Sequence, residues 1–76
     1  MAYHFKALKV TLGENVRRLR VQRELSQEAL ADLSSLDRGY ISQIERAIGN
    51  PSLEVIAKIA LAFNVSPGSL LDRHQG

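Results

Sequence analysis

The chain contains no cysteine and no tryptophan, and it has only two residues each of proline, phenylalanine and tyrosine. Without cysteine, neither disulfide bonds nor thiolate metal sites can stabilise the fold. At 76 residues, we expect one small domain near the size at which a single core is only marginally stable. Helix packing must supply the stability, and oligomerisation is a further source.

Long hydrophobic runs are also missing. The longest apolar stretch, residues 55–63, is interrupted by Lys58 and is far too short to span a bilayer. The N-terminus has no long apolar block followed by small residues, so no signal peptide is predicted. We therefore expect a cytoplasmic protein without a membrane partner. A composition of 45% hydrophobic and 24% charged residues argues against disorder.

Catalytic signatures are scarce as well. The sequence has no glycine-rich phosphate loop and no cluster of carboxylates. His4 and His74 stand near the two ends of the chain, which makes each a weak candidate for a catalyst or metal ligand. We therefore predict no enzymatic activity, no metal, no cofactor and no small-molecule ligand.

Positive charge is present but unevenly distributed. The net charge is only +2, yet six of the ten cations precede Glu24. These cations are Lys6, Lys9, Arg17, Arg18, Arg20 and Arg23. One interpretation is an electrostatic footprint for phosphate, with Arg17 as a candidate contact; the alternative is a solvated helix face.

Helix start and stop signals predict five helices joined by short loops. A capping box at Thr11–Glu14 is predicted to begin the first helix, which runs to about Glu24. Ser26, Asp37 and Ser52 are predicted N-caps of the next three, which end near Leu33, Arg46 and Asn64. Ser66-Pro67 begins a short fifth helix. In the fourth helix, an inward face is predicted for Leu53, Ile56, Ala57, Ala60 and Phe63.

These boundaries divide the chain into three parts. Residues 11–72 form the predicted domain, and residues 73–76 form a tail. The sequence does not decide the role of residues 1–10: Tyr3, Phe5 and Leu8 could extend the first helix, form an arm or pack on a partner.

The second and third predicted helices form a pair with two different faces. Leu30, Ala31, Ile41 and Ile44 are expected to point inward, with Leu36 filling the turn. Gly39, Ser42, Gln43 and Arg46 recur at helical spacing on the opposite face, with Arg38 beside them. Arg and Gln can each form bidentate hydrogen bonds with base edges in the major groove of DNA. A plain solvated face is the alternative.

Two charged residues occupy positions next to apolar ones. Arg20 lies beside Leu19 on the first helix, and Glu45 follows Ile41 by four residues on the third. Because unpaired charges there would be costly, we predict a partly buried ion pair between Arg20 and Glu45. The alternative is that both side chains reach out to water.

With these features in place, the chain resembles the Cro/CI, or xenobiotic-response-element, class of helix-turn-helix regulators across about residues 12–72. The segments SQEALA, LDRGYISQIER and NPSLEVIAKIALAFNVS match the order and spacing of the family motifs. The LDR-x-YIS-x-IER string resembles in particular the controller proteins of restriction–modification systems. The resemblance implies an all-α, five-helix bundle of the lambda-repressor-like type with a central helix-turn-helix.

The resemblance also implies a function and roles for individual residues. It implies a homodimer that binds a palindromic operator in double-stranded DNA and regulates transcription, with half-sites about 34–36 Å apart. Base contacts are implied for Arg38, Gly39, Ser42 and Gln43; phosphate contacts for Gln27, Tyr40, Arg46 and Asn50; and a family ion pair for Arg20 and Glu45.

Several points depart from this pattern or remain open. Many helix-turn-helix units have glycine where Ser35 stands, because that residue often needs positive φ. We expect dimer contacts from Phe63, Leu70 and Leu71. An antitoxin or adaptor that mainly binds a partner protein is an alternative function, and so is the DNA-binding piece of a longer regulator.

Overall fold

The computed structural model describes residues 4–74 and contains four α-helices followed by one 3₁₀ helix. The helices are α1 (Phe5–Gln22), α2 (Gln27–Ser34), α3 (Arg38–Glu45) and α4 (Leu53–Phe63), and the 3₁₀ helix covers Pro67–Leu71. No strand occurs within residues 4–74. The predicted all-α class is confirmed, although the fifth helix is of the 3₁₀ type.

The start of α1 differs from the prediction. The helix begins at Phe5 rather than near Leu12, and Thr11–Glu14 lies in its interior. The proposed capping box is therefore wrong, and the expected domain boundary at residue 11 falls inside a helix. Phe5, Leu8 and Leu12 continue the apolar spacing without a breaker, which favours the longer helix. Tyr3 lies outside the described residues.

Gly13 stands in the middle of α1, where α3 packs directly against the helix backbone. A Cβ atom built on Gly13 would lie 2.5 Å from the carbonyl oxygen of Ile44 and 3.0 Å from that of Glu45. Only a residue without a side chain allows α1 and α3 to approach this closely. The sequence spacing gives no sign of this contact.

The core is built from one face of each helix. Its buried members are Leu12, Val16, Leu30, Ala31, Ile41, Ile44, Ile56, Ile59, Ala60, Phe63 and Leu70. The inward positions predicted on α2 and α3 are confirmed, and Leu36 packs against this cluster. On α4 the prediction is partly wrong: Leu53 and Ala57 are exposed, and Ile59 is buried instead.

Asn15 connects the C-terminal segment to α1. Its buried side chain donates hydrogen bonds to the carbonyl oxygens of Leu70 (2.8 Å) and Asp72 (2.7 Å). Arg18 in turn donates to the Asn15 amide oxygen over 3.2 Å. The 3₁₀ helix is therefore held on α1 by polar contacts as well as by Leu70.

No helix within residues 4–74 combines the length and the hydropathy that a membrane crossing requires.

Candidate nucleic-acid interface

The geometry of the α2–α3 unit is fixed by helix caps and by one residue in the left-handed conformation. The Ser26 hydroxyl accepts a hydrogen bond from the Ala29 amide (2.9 Å), as predicted for an N-cap. Ser35 takes the left-handed conformation (φ 58°, ψ 40°), and the Leu36 amide then donates to the Ala31 carbonyl (2.9 Å). The turn therefore has the expected positive φ, with serine in place of glycine.

Asp37 occupies the N-cap position of α3 with its backbone only. Its carbonyl accepts from the amides of Tyr40 and Ile41, but its side chain makes no capping hydrogen bond. The predicted side-chain cap is therefore wrong at this residue. The helix ends at Glu45, and Ala47 then adopts φ 59°.

The outer face of α3 is polar and accessible. Arg38, Gly39, Gln43 and Arg46 are exposed, whereas Ser42 and Tyr40 are half-buried. A Cβ atom on Gly39 would meet nothing within 4 Å. Ile41 and Ile44 lie on the opposite side in the core. We name the five residues Arg38, Gly39, Ser42, Gln43 and Arg46 the recognition stripe.

The predicted phosphate contacts have more varied surroundings. Asn50 is exposed in the loop after α3, and Arg17 is exposed on α1. Arg17 stands between Gly13 and Arg20, both of which contact α3, so it lies on the edge of α1 nearest that helix. Arg46 Nε makes a long hydrogen bond (3.4 Å) with the Ser42 carbonyl.

Arg20 and Glu45 form the predicted ion pair. Arg20 Nε lies 2.7 Å from Glu45 Oε2, and Arg20 Nη2 donates to Oε1 over 3.1 Å. The two side chains are only 15% and 6% exposed, so the contact is partly desolvated. The hydrogen bond with Glu45 raises the pKa of the Arg20 guanidinium; burial acts in the opposite direction, and the Glu45 charge adds to the rise.

The ion pair has two further partners that spacing did not predict. Gln27 Nε2 donates to Glu45 Oε1 over 3.1 Å, and Arg20 Nη1 donates to the Leu25 carbonyl over 2.8 Å. Glu45 therefore joins α1, α2 and α3 at one point. The first residue of α2 and the last residue of α3 are held together by this carboxylate.

The expected dimer contacts are largely wrong. Phe63 and Leu70 are both 0% exposed within the single chain, so neither can contact a partner without opening the core. Phe63 is also covered by Arg23, whose guanidinium carbon lies 5.4 Å from the ring centroid. Leu71 is half-buried and packs against the core.

Comparison with known proteins agrees with this geometry. The family model described as Helix-turn-helix matches residues 16–70. Control protein C.SmaI of Serratia marcescens is 44% identical over 69 residues, which cover 91% of this chain and 82% of that protein. Control protein C.BamHI of Bacillus amyloliquefaciens is 44% identical over 66 residues, covering 86% of this chain and 82% of that protein.

A solved structure gives the same result. The crystal structure of the restriction–modification controller protein C.AhdI from Aeromonas hydrophila is similar with a TM-score of 0.78 and 45% identity. The match covers 82% of this chain and 94% of that one. The buried α2–α3 contact, the polar outer face of α3 and these matches agree, and the chain belongs to the helix-turn-helix family of DNA-binding transcriptional regulators.

Proposed function

We propose that this regulator is a restriction–modification type controller that binds a palindromic operator as a homodimer, with the recognition stripe in the major groove. The observation that carries the proposal is the stripe itself. Its accessible side chains are hydrogen-bonding or absent, and none is apolar. The relatives named control and controller proteins support the biological role.

The side chains of the recognition stripe can form hydrogen bonds with base edges. Arg38 can donate two hydrogen bonds to O6 and N7 of guanine, and Gln43 can pair with N6 and N7 of adenine. The open space at Gly39 lets the helix approach the groove without a side chain in the way. Ser42 is half-buried, so its hydroxyl is the least accessible of the base-facing groups.

Phosphate contacts come from the surrounding residues. Arg17, Arg46 and Asn50 are exposed and can donate to backbone oxygens, as can the Tyr40 hydroxyl. Gln27 already donates one amide hydrogen to Glu45, and its second amide hydrogen remains available for a phosphate. Such contacts fix the register of the protein on DNA without reading its sequence.

The dimer contact belongs to the outer side of α4. Leu53 and Leu61 are 83% and 80% exposed, and Ala57 between them is also exposed. Because these residues are spaced four apart, they form one apolar ridge along the helix. We name Leu53, Ala57 and Leu61 the α4 ridge, and it replaces Phe63 and Leu70 as the proposed contact.

Selection of bound sites from random DNA tests the central claim. We expect a palindrome whose half-sites are about 34–36 Å apart, as for two recognition helices in successive major grooves. If no sequence is enriched, the proposal is wrong, and the partner-binding alternative gains support.

Single substitutions then distinguish residues that contact bases from residues that contact phosphates. Arg38→Ala should lose discrimination at one base position by about 1–3 kcal/mol. Arg46→Ala should weaken binding to all sequences and reduce the salt slope by about one. Arg73→Ala is the matched control, because Arg73 shares a cleft with Thr11 and Asn15, on the side of α1 away from Gly13. Equal loss on all sequences for Arg38→Ala would contradict its assigned role.

A further inference from the structure

The first two turns of α1 carry an apolar surface that the single chain leaves partly uncovered. Phe5 is 60% exposed. Lys9 Nζ lies 5.0 Å from the centroid of the Phe5 ring, so the aromatic side chain is held against its own helix. This surface precedes the part of the chain that the family model matches, residues 16–70.

A small hollow lies beside this surface. It has a volume of about 50 Å³, and its apolar lining comes from Phe5, Leu8, the side chain of Lys9 and Leu12 of α1, Pro51 just before α4, Ile56 of α4, and Leu71. A hollow of this size can receive the end of one aliphatic side chain, and the apolar lining makes water a poor occupant.

The hollow adjoins the α4 ridge. Leu53 lies two residues after Pro51 and three before Ile56, and residues three apart lie on neighbouring turns of one helix side. Leu53 itself is 83% exposed. Leu53, at the N-terminal end of the ridge, is therefore flanked in sequence by two residues that line the hollow, and Phe5 lines the hollow from α1.

The area of the ridge alone is too small for a stable dimer. A standard interface buries about 800 Å² on each partner with 20–30 residues, or roughly 30–40 Å² per residue. On this scale the three ridge residues supply on the order of 100 Å². A dimer centred on the ridge must therefore include neighbouring surface, and the exposed Phe5 side chain beside the hollow is an apolar candidate at the Leu53 end of the ridge.

We infer that the first two turns of α1, with Phe5 as the main contact, pack against a second copy of the chain and extend the α4 ridge contact. This inference rests on the homodimer of the proposed function. An aliphatic side chain of the second copy would enter the hollow, and the Phe5 ring would cover it. The N-terminal part of α1 is then an assembly element, separate from the DNA-reading unit.

The test compares Phe5→Ser with Val21→Ser by sedimentation equilibrium over a dilution series. Val21 is the matched control because it stands near the other end of α1 and is 57% exposed. Phe5→Ser should raise the dimer dissociation constant at least about tenfold, since each dimer loses two buried aromatic side chains. Val21→Ser should leave it unchanged. Both variants should keep the helical circular dichroism of the parent, which excludes misfolding.

The outcomes separate this inference from the proposed function. A parent chain that stays monomeric at high concentration and on its selected DNA site would overturn the homodimer itself. A dimeric parent whose dissociation constant is unaffected by Phe5→Ser, or equally affected by Val21→Ser, would overturn only the role of α1. If the parent is dimeric and the ridge is the contact, Leu61→Asp should abolish dimerisation whether or not α1 contributes.

Discussion

Arg20 and Glu45 meet across the α1–α3 contact, with Arg20 Nε only 2.7 Å from Glu45 Oε2. The carboxylate also accepts from Gln27, so it lies at the junction of three helices. The pair therefore joins the stability of the domain to the placement of the helix that carries the recognition stripe.

Arg20→Ala should destabilise the domain by about 3–5 kcal/mol, because it leaves the nearly buried Glu45 carboxylate without its cation. Urea denaturation followed by circular dichroism measures this loss. The pKa of Arg20 is raised, so its contribution is complete below the ordinary arginine pKa and is lost only at higher pH. Because Arg20 stays protonated throughout the neutral pH range, its charge should not make the stability lost in Arg20→Ala vary with pH there.

The control for this variant is the exposed pair of Glu54 and Lys58. Lys58 Nζ lies 3.9 Å from Glu54 Oε2, and the Glu54 side chain is 80% exposed. Lys58→Ala should cost under about 0.5 kcal/mol, as expected of a surface pair. A similarly small loss for Arg20→Ala would show that desolvation does not strengthen the pair.

The parts of the fold that sequence could predict are those fixed by local chemistry. Ser26 caps α2, and α4 ends at Asn64, as predicted, and Ser35 takes the positive φ that its turn position often needs; each of these features depends only on residues nearby in the sequence. The inward faces of α2 and α3 follow from helical periodicity, which is also local. The exposed stripe follows from the same spacing.

The parts that sequence could not predict depend on contacts between distant residues. Gly13 is explained only by the α3 carbonyl that lies against it. The rotation of α4 buries Ile59 and exposes Leu53, although both fit a helical apolar face. Phe63 and Leu70 are apolar and near the C-terminus, and spacing alone cannot distinguish a core residue from a dimer contact.

The two glycines in α-helices, Gly13 and Gly39, should respond in opposite ways to alanine. Gly13→Ala places a Cβ atom 2.5 Å from the Ile44 carbonyl oxygen, and overpacking of this kind costs about 1–3 kcal/mol. The better helix propensity of alanine, worth up to about 1 kcal/mol, should not offset it. We therefore expect a lower urea midpoint for Gly13→Ala.

Gly39→Ala is the matched comparison. Nothing lies within 4 Å of the added Cβ atom, so the domain should gain up to about 1 kcal/mol from helix propensity. Operator affinity should nevertheless fall, because the methyl group would enter the space proposed for the base edges. Fluorescence anisotropy measures the affinity, and tighter binding by Gly39→Ala would contradict close approach at this position.

Ala47 is a favourable site for stabilisation. Its φ is 59°, a conformation that costs an L-residue roughly 1–2 kcal/mol and glycine very little. Ala47→Gly should raise stability by about 1 kcal/mol, measured by urea denaturation. Ala62→Gly is the matched control, since Ala62 is equally half-buried but helical, and it should lose about 1 kcal/mol. A loss in both variants would show that the backbone at Ala47 is not strained.

Asn15→Ala should loosen the C-terminal segment. The substitution leaves the carbonyl oxygens of Leu70 and Asp72 without the donor that now lies within 2.8 Å of each. Because an unsatisfied buried group costs about 1–3 kcal/mol, we expect a loss of about 2–3 kcal/mol in urea denaturation and faster hydrogen exchange at the Ser69 amide. Asn50→Ala is the control: Asn50 is exposed, so its loss should change stability by under about 0.5 kcal/mol. Unchanged exchange at Ser69 in Asn15→Ala would show that Leu70 packing alone holds the 3₁₀ helix on α1.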